Sequence, residues 1–366
     1  MALTQVETSG LSGSGASSNS TTGNVFSQTG PFKNRIINGD MRIDQRNAGA
    51  SVTPTATSYT LDRWNYFCGV VASKFSVQQN AGSVTPPAGF NYYAGLTSLS
   101  AYTVSATDRF GLQQSIEGYN TADLAWGTAS AKTVTLSFYV RSSLTGTFGG
   151  SVQNDAANRT YPFTYTISSA NTWTSVTVAI PGDTSGTWRT DNGAGIVLYF
   201  GAGVGSTYSG TAGAWAGANY FSATGATSVV GTNGATFYIT GVQLEAGTAA
   251  TAFERRSYGQ ELALCQRYYW RGSYYGSGHG DTTNLALAAV SLPVTMRATP
   301  AVTNDSDSSG IVANGNLYNL TAASAQILNN AWNGHVGFVA VTTNSQITRW
   351  TTCYVRINNF QANAEL

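Results

Sequence analysis

Alternation of apolar and polar side chains marks the clearest elements of this chain. Within residues 133–141, Val134, Leu136, Phe138 and Val140 occupy every second position, so an extended strand there has one apolar face. Residues 175–180 alternate in the same way and stop at Pro181-Gly182. Residues 196–200 are apolar without interruption, which predicts a strand covered on both faces. Residues 236–245 predict another strand. Residues 34–43 read as a strand with a local kink at Asn38-Gly39, and residues 60–64 open a further one. Turn signals at Pro181-Gly182-Asp183, Asn192-Gly193 and Asn233-Gly234 separate these runs. The pattern predicts an all-β chain whose residues 31–253 form a two-sheet β-sandwich of jelly-roll type.

The flanks differ in texture. Residues 1–30 are mostly Gly, Ser, Thr and Asn, and Glu7 is their single charge. Such a segment cannot bury enough surface to offset the entropy of ordering, so it is flexible alone. On a partner it would be an attachment arm, using Leu3, Val6, Leu11, Val25 and Phe26. Residues 254–271 are expected to form a short helical connector. There Tyr258, Leu262, Cys265 and Tyr269 fall at i, i+4, i+7 and i+11, one stripe of a helix. A helix this short needs a docking face, either within its own subunit or at a seam between subunits. Residues 272–366 predict a second, smaller β-sandwich, with strands at 285–292, 294–297, 336–341 and 347–357, and residues 271–281 read as a mobile Gly/Ser loop.

Composition narrows the function. Only 10% of the 366 residues are charged and the formal net charge is +1, which argues against an extended nucleic-acid surface. Eight Trp, 20 Tyr and 15 Phe beside 41 Gly favour strands and turns. Three cysteines, Cys68, Cys265 and Cys353, form no CxxC pair, and His279 and His335 are the two histidines, so a thiolate zinc site or a multi-His centre has no material. The first residues lack a basic, apolar leader, and no apolar run is long enough to span a membrane; synthesis in a cytoplasm is expected.

Enzymatic motifs are scarce. No short motif couples a carboxylate pair to an aromatic groove, as glycoside hydrolysis requires. Ser273, Ser277, His279 and Asp281 lie close in sequence, but a mobile loop would not hold a triad geometry. The glycine-rich stretches lack the Lys-Ser/Thr of a phosphate loop. The expectation is therefore a protein without enzymatic activity. Residues 305–310, Asp-Ser-Asp-Ser-Ser-Gly, match the start of a calcium loop, yet the twelfth position is Asn316, so an ordinary surface turn is the competing reading. Asp40, Asp44 and Glu245 would meet if the first and last strands pair, building a structural cation site or a salt-bridge set.

Sugar recognition needs flat aromatic faces beside polar groups that read hydroxyls. Residues 271–281 combine Tyr274, Tyr275, His279 and Asp281 with Gly and Ser, and residues 329–335 carry Trp332 and His335. These six are the candidate ligand-binding residues. Ordinary loop or subunit contact is the alternative for both segments.

Several strings taken together resemble the tail-fibre and minor structural proteins of tailed bacteriophages. They are Asn34-Arg35-Ile36-Ile37-Asn38-Gly39-Asp40-Met41, Leu61-Asp62-Arg63-Trp64, Thr172-Trp173-Thr174-Ser175-Val176-Thr177-Val178, Ile180-Pro181-Gly182-Asp183-Thr184-Ser185-Gly186-Thr187-Trp188, Val242-Gln243-Leu244-Glu245-Ala246-Gly247-Thr248, Phe253-Glu254-Arg255-Arg256 and Glu261-Leu262-Ala263-Leu264-Cys265-Gln266-Arg267-Tyr268-Tyr269. The resemblance covers roughly residues 31–270 and leaves the C-terminal unit outside it. Asn38-Gly39-Asp40-Met41 and Ile239-Thr240-Gly241-Val242-Gln243-Leu244-Glu245 are also similar to the first and last strands of carbohydrate-binding jelly-roll modules. In those modules a structural Ca²⁺ often sits near these strands, which puts Asp40 and Glu245 forward as metal ligands.

The resemblance implies a virion protein made in the host cytoplasm, a homotrimer, with residues 1–30 held by other tail or capsid proteins. It implies an outward C-terminal unit that meets a host-surface glycan or protein, with no nucleic-acid partner and no membrane insertion. Three functions stay open. One is a tail fibre that mediates host attachment, with glycan the first choice of receptor; another is a purely structural connector or capsid decoration fibre; the last is a depolymerase.

Overall fold

A computed structural model describes residues 32–69, 71–282, 285–303, 310–313, 316–319, 326–327, 335–341 and 352–366, with backbone alone within 274–276, 278–290 and 310–359. The first unit has thirteen strands: β1 (Ser58–Leu61), β2 (Trp64–Cys68), β3 (Phe75–Gln79), β4 (Ala94–Ser98), β5 (Arg109–Glu117), β6 (Val134–Ser142), β7 (Gly146–Gln153), β8 (Thr160–Ile167), β9 (Thr174–Ile180), β10 (Ala194–Val204), β11 (Ser209–Gly210), β12 (Ser222–Ala223) and β13 (Thr236–Ala246). Six form a sheet in the order β1-β2-β5-β10-β7-β8, and five form a second in the order β3-β4-β13-β6-β9. Both are antiparallel throughout. The sheets face each other across one apolar core. Val134, Leu136, Phe138 and Val140 of β6 meet Leu112, Phe148, Leu198 and Phe200 from the other sheet. This is the jelly-roll β-sandwich that the alternating runs predict.

The apolar run at 196–200 lies in β10, flanked by β5 and β7. Its outer face is covered too, because Tyr199 and Val197 pack with Phe67 and Phe221. Residues 34–43 depart from expectation and form no strand. Asn38 and Met41 adopt φ of 56° and 59°, which breaks extended geometry. The Asn38 side chain stabilises the turn by accepting from the Ile43 amide at 2.9 Å and donating to the Asp62 carbonyl at 3.0 Å. The segment still lies along β13: the Arg35 amide donates to the Leu244 carbonyl and the Val242 amide to the Gly39 carbonyl, both at 2.9 Å. A Cβ at Gly39 would sit 2.2 Å from the Val242 carbonyl oxygen, so only glycine permits this approach.

One short helix, α1 (Tyr258–Gln266), follows the sandwich. Ser257 caps it by accepting from the Gln260 amide at 3.3 Å. The expected stripe is only partly real. Cys265 is fully buried and packs with Ile37, Ile43 and Tyr268, joined by Leu262, Leu264 and Leu366. Tyr258 is 59% exposed, and Tyr269 has already entered the next strand. The helix thus docks within its own chain through Leu262, Leu264 and Cys265, the first of the two alternatives. No helix among the described residues is long and apolar enough to cross a membrane.

The C-terminal strands are β14 (Tyr269–Thr282), β15 (Leu285–Ser291), β16 (Ala301–Thr303), β17 (Gly310–Ala313), β18 (Asn316–Asn319), β19 (Gln326–Ile327), β20 (His335–Val341) and β21 (Thr352–Asn363). They form one antiparallel sheet in the order β18-β17-β21-β14-β15-β20-β19, with β16 added on β21. Residues 271–281, expected as a mobile loop, lie inside β14 and pair with β21. The strand preference of Trp270, Tyr274 and Tyr275, together with pairing on both sides, outweighs the glycines. Residues 294–297, expected as a strand, form bends and irregular chain.

Candidate functional site

The outer face of the five-stranded sheet carries a cleft. On β6 the core takes Leu136, Phe138 and Val140, so alternation turns Ser137 and Tyr139 outward. On β9, Ser175 and Thr177 are likewise exposed. Two loops rise over this floor. One brings Ala88 and Phe90, the other Thr251, Phe253 and Arg255. The open cleft between them has a volume of about 360 Å³. Phe90 is the keystone of the wall: its ring centroid lies 5.5 Å from Tyr139 and 5.1 Å from Phe253. The Arg255 guanidinium lies 4.7 Å from the Phe90 centroid and 5.6 Å from that of Phe253.

β13 makes room for Phe90 by breaking its own alternation. Phe237 and Ile239 face the core, then Val242 and Leu244 do. The phase changes through Gly241, at φ 63°, where the register with β6 shifts. A Cβ there would meet the Phe90 ring at 2.7 Å and Tyr139 at 3.2 Å.

Both loops are firmly held. In the first, the Tyr93 hydroxyl donates to the Ala81 carbonyl at 2.6 Å and accepts from the Val84 amide at 2.8 Å. Tyr93 also meets Trp173 edge-on at 5.5 Å, and the Trp173 indole donates to the Thr85 carbonyl at 2.8 Å. In the second, Glu245 is the anchor. Its carboxylate accepts from the Thr251 amide at 2.8 Å, the Thr251 hydroxyl at 2.7 Å and the Gln243 side chain at 2.8 Å. Glu254 then accepts from the amides of Phe32 and Asn34 at 2.9 and 2.7 Å.

The two residues put forward as metal ligands turn to different partners. Glu245 fastens the loop, whereas Asp40 pairs with Arg42 at 3.4 Å. Burial raises the Asp40 carboxyl above its usual range, while Arg42 and then Arg255 pull it back. Asp44 turns its carboxylate to the amides of Asn47 and Gly49. Among the described residues no cluster of three or more His, Cys, Asp and Glu is placed to hold a metal.

The six candidate ligand residues lie elsewhere. Tyr274, Tyr275, His279 and Asp281 are on β14, and their side chains lie outside the described residues. The backbones of the first three pair with Ile357, Arg356 and Thr352. His335 opens β20 opposite Ser291, and Trp332 lies outside the described residues, as do Asp305–Ser309. None of the cleft residues Phe90, Tyr139, Phe253 and Arg255 is among the six ligand-binding candidates read from the sequence. One signal was present: Tyr139 is the single aromatic on the polar face formed by Thr135, Ser137 and Arg141.

A second aromatic group, Trp126, Trp188 and Trp215, meets edge-to-face with centroids 4.7 to 5.5 Å apart. Its indole N–H groups are all taken by backbone carbonyls, of Lys132, Ser185 and Pro181. That arrangement packs the end of the sandwich.

No family model and no curated protein matches this chain. Solved structures do. A CBM4 structure is 13% identical over 57% of this chain and 98% of its own, with a TM-score of 0.29. A putative sugar binding protein from Bacteroides thetaiotaomicron is 14% identical over 58% of this chain and all of its own (100%), with a TM-score of 0.32. The enzymatically active domain of tailspike protein 4 from bacteriophage CBA120 is 11% identical over 60% of this chain and 22% of its own, with a TM-score of 0.32. The assignment of a jelly-roll β-sandwich rests on the strand order and register given above.

Proposed function

We propose that this chain binds glycans and that the cleft over β6 and β9 is its saccharide site. One observation carries the reading: a cleft of about 360 Å³ sets the rings of Phe90, Tyr139 and Phe253 beside the hydroxyl-bearing side chains of Ser137, Ser175 and Thr177. A pyranose ring has apolar C–H faces and a rim of hydroxyls, so it needs both surfaces at once. Firmly held loops keep the site pre-formed, which lowers the ordering cost of binding.

The finer reading is a bacteriophage tail fibre that attaches the virion to a host-surface glycan. It is supported by the resemblance of residues 31–270 to tail-fibre proteins and by a low-charge, aromatic-rich β fold. In a homotrimer held on the particle through residues 1–30, three shallow sites would turn weak contacts into useful avidity. The reading is non-enzymatic. Among the described residues Arg255 is the charged side chain lining the cleft and no carboxylate lines it, whereas glycoside hydrolysis uses two.

Affinity electrophoresis of the full chain through gels containing host capsular polysaccharide or lipopolysaccharide tests this. Retardation of the wild type and its loss in Tyr139→Ala is the expected result. Equal mobility of both proteins in every gel would remove glycan binding and favour a purely structural virion component. Shortening of the polysaccharide would establish a depolymerase instead. Light scattering on the same sample reads the oligomer: three times 38.3 kDa fits the fibre.

A further inference from the structure

We infer that the glycan taken by this cleft is acidic, with a uronate carboxylate held by Arg255. The inference rests on the saccharide reading above and names the class of sugar within it.

Arg255 differs from its neighbour Arg256. Arg256 is buried and committed: it pairs with Glu254 at 3.2 Å and with Glu261 at 3.4 Å, and donates to the carbonyls of Ile36 and Asn34. Arg255 is exposed, and among the described residues no carboxylate pairs with it and no acceptor takes its N–H groups. The flanking acids are already engaged. Glu254 serves Arg256 and two backbone amides. Asp40 feels Arg255 electrostatically but makes its ion pair with Arg42. Glu245 is taken up by Thr251 and Gln243. A cation is thus left over at the edge of an aromatic cleft.

Its placement is built rather than incidental. The guanidinium stacks against Phe90 and Phe253, which restrains its plane and leaves its N–H donors at the rim. Gly89, at φ 86°, makes room for it, since a Cβ there would stand 3.0 Å from Arg255 Nη2. A planar, restrained guanidinium matches a carboxylate through two parallel hydrogen bonds. A uronic acid carries that carboxylate on a pyranose ring, so one residue can pack its C–H face on the aromatic wall and present its anion to Arg255. A sulfate ester would offer a similar anion, and the experiment separates the two. The chain's net charge of +1 supplies no bulk attraction for polyanions, so selectivity for acidic sugar would have to arise locally.

The test titrates the full chain with four uronic-acid polysaccharides: polygalacturonate, alginate, hyaluronan and glucuronoxylan. Each is paired with its carboxyl-reduced form. Dextran and dextran sulfate form a further pair. At least one uronate polymer is expected to bind roughly tenfold more tightly than its reduced form, as one charge-assisted pair at a part-exposed site would give. Arg255→Gln should erase that difference and Arg255→Lys restore it in part, while melting temperature stays unchanged. Reduced forms binding as tightly as the acids would overturn the inference and leave the saccharide reading standing. So would binding to neutral polymers alone, a preference for dextran sulfate over every uronate, or a preference that survives Arg255→Gln. Binding to none of the polymers, with Tyr139→Ala indistinguishable from wild type, would overturn both.

Discussion

The Arg46 guanidinium lies 3.7 Å from the ring centroid of Tyr269 and donates to Glu365 at 2.9 Å, clamping a loop of the sandwich onto the first strand of the second sheet. Glu365 also receives Arg63, which is fully buried and lies 3.5 Å over the ring of Tyr268. Nearby, the Tyr59 hydroxyl donates to the Leu366 carbonyl at 2.8 Å, and Arg267 pairs with Glu117 at 2.6 Å. One carboxylate therefore neutralises the fully buried Arg63 and the part-buried Arg46 at the junction. Glu365→Ala would strand both, and breaking a buried pair this way costs about 3–5 kcal/mol. Chemical denaturation should show the whole sandwich destabilised, although the substitution lies in the last strand's tail. A loss below about 1 kcal/mol, the usual worth of a surface pair, would show that the clamp is solvated in solution.

Gly241 couples the strand geometry to the cleft. Any side chain there must adopt φ near 63° and enter the space of Phe90. Left-handed backbone alone costs a non-glycine residue about 1–2 kcal/mol. Gly241→Ala should therefore lower the melting temperature and weaken glycan binding together, because Phe90 and Tyr139 must separate. Gly241→Asn should lose less of the stability than its backbone strain in alanine form, since Asn tolerates this conformation better, but it should not retain the binding. A Gly241→Ala protein with unchanged affinity would detach the Phe90 wall from the site.

Regular alternation made the sandwich legible. The strands around Val134–Val140 and Val176–Ile180 stand where their apolar periods place them, because burying one face of a strand imposes that period. Residues 34–43 misled for a local reason. Their apolar side chains are buried as a strand's would be, but Asn38 ties the backbone into turns. The stretch 271–281 misled in the opposite sense, because glycine and serine obscured strand pairing supplied by residues about eighty positions away, such as Ile357 and Arg356. The cleft was least legible of all. Phe90, Tyr139 and Phe253 come from three distant segments and meet only through sheet order and one bulge, which no local pattern encodes.

Tyr139 offers the most direct test of the cleft. It is half-buried and stands on the solvent face of β6, so its removal leaves the core intact. Tyr139→Ala should weaken glycan binding about tenfold, equivalent to about 1.4 kcal/mol, with little change in melting temperature. Tyr139→Phe should keep most of the affinity if the ring face is what the sugar meets. Tyr119, 62% exposed and outside the cleft, provides the control, and Tyr119→Ala should bind as wild type. An equal loss in both alanine variants would point to non-specific adhesion of aromatic surface.

Asp62 should make stability depend on pH in an unusual direction. Its side chain is fully buried and accepts from the Gln45 amide and the Gln45 side chain, both at 2.6 Å. Burial pushes its carboxyl up to about 7, against the pull of Arg46 and these hydrogen bonds. An unfolded Asp releases its proton near pH 4. Between about pH 4 and 7 the folded chain therefore holds a proton that the unfolded chain has lost. Stability from this group is full below pH 4 and falls as pH rises through 7. Most buried carboxylates in ion pairs act in the reverse sense, so the contribution has a recognisable sign. Melting temperatures of wild type and Asp62→Asn, measured from pH 4 to pH 8, isolate it. Asn cannot titrate, so the wild type should lose several degrees relative to the variant across that window. A constant difference between the two would mean that Arg46 and Gln45 hold Asp62 ionised throughout, and that the junction around Glu365 is better solvated than its burial indicates.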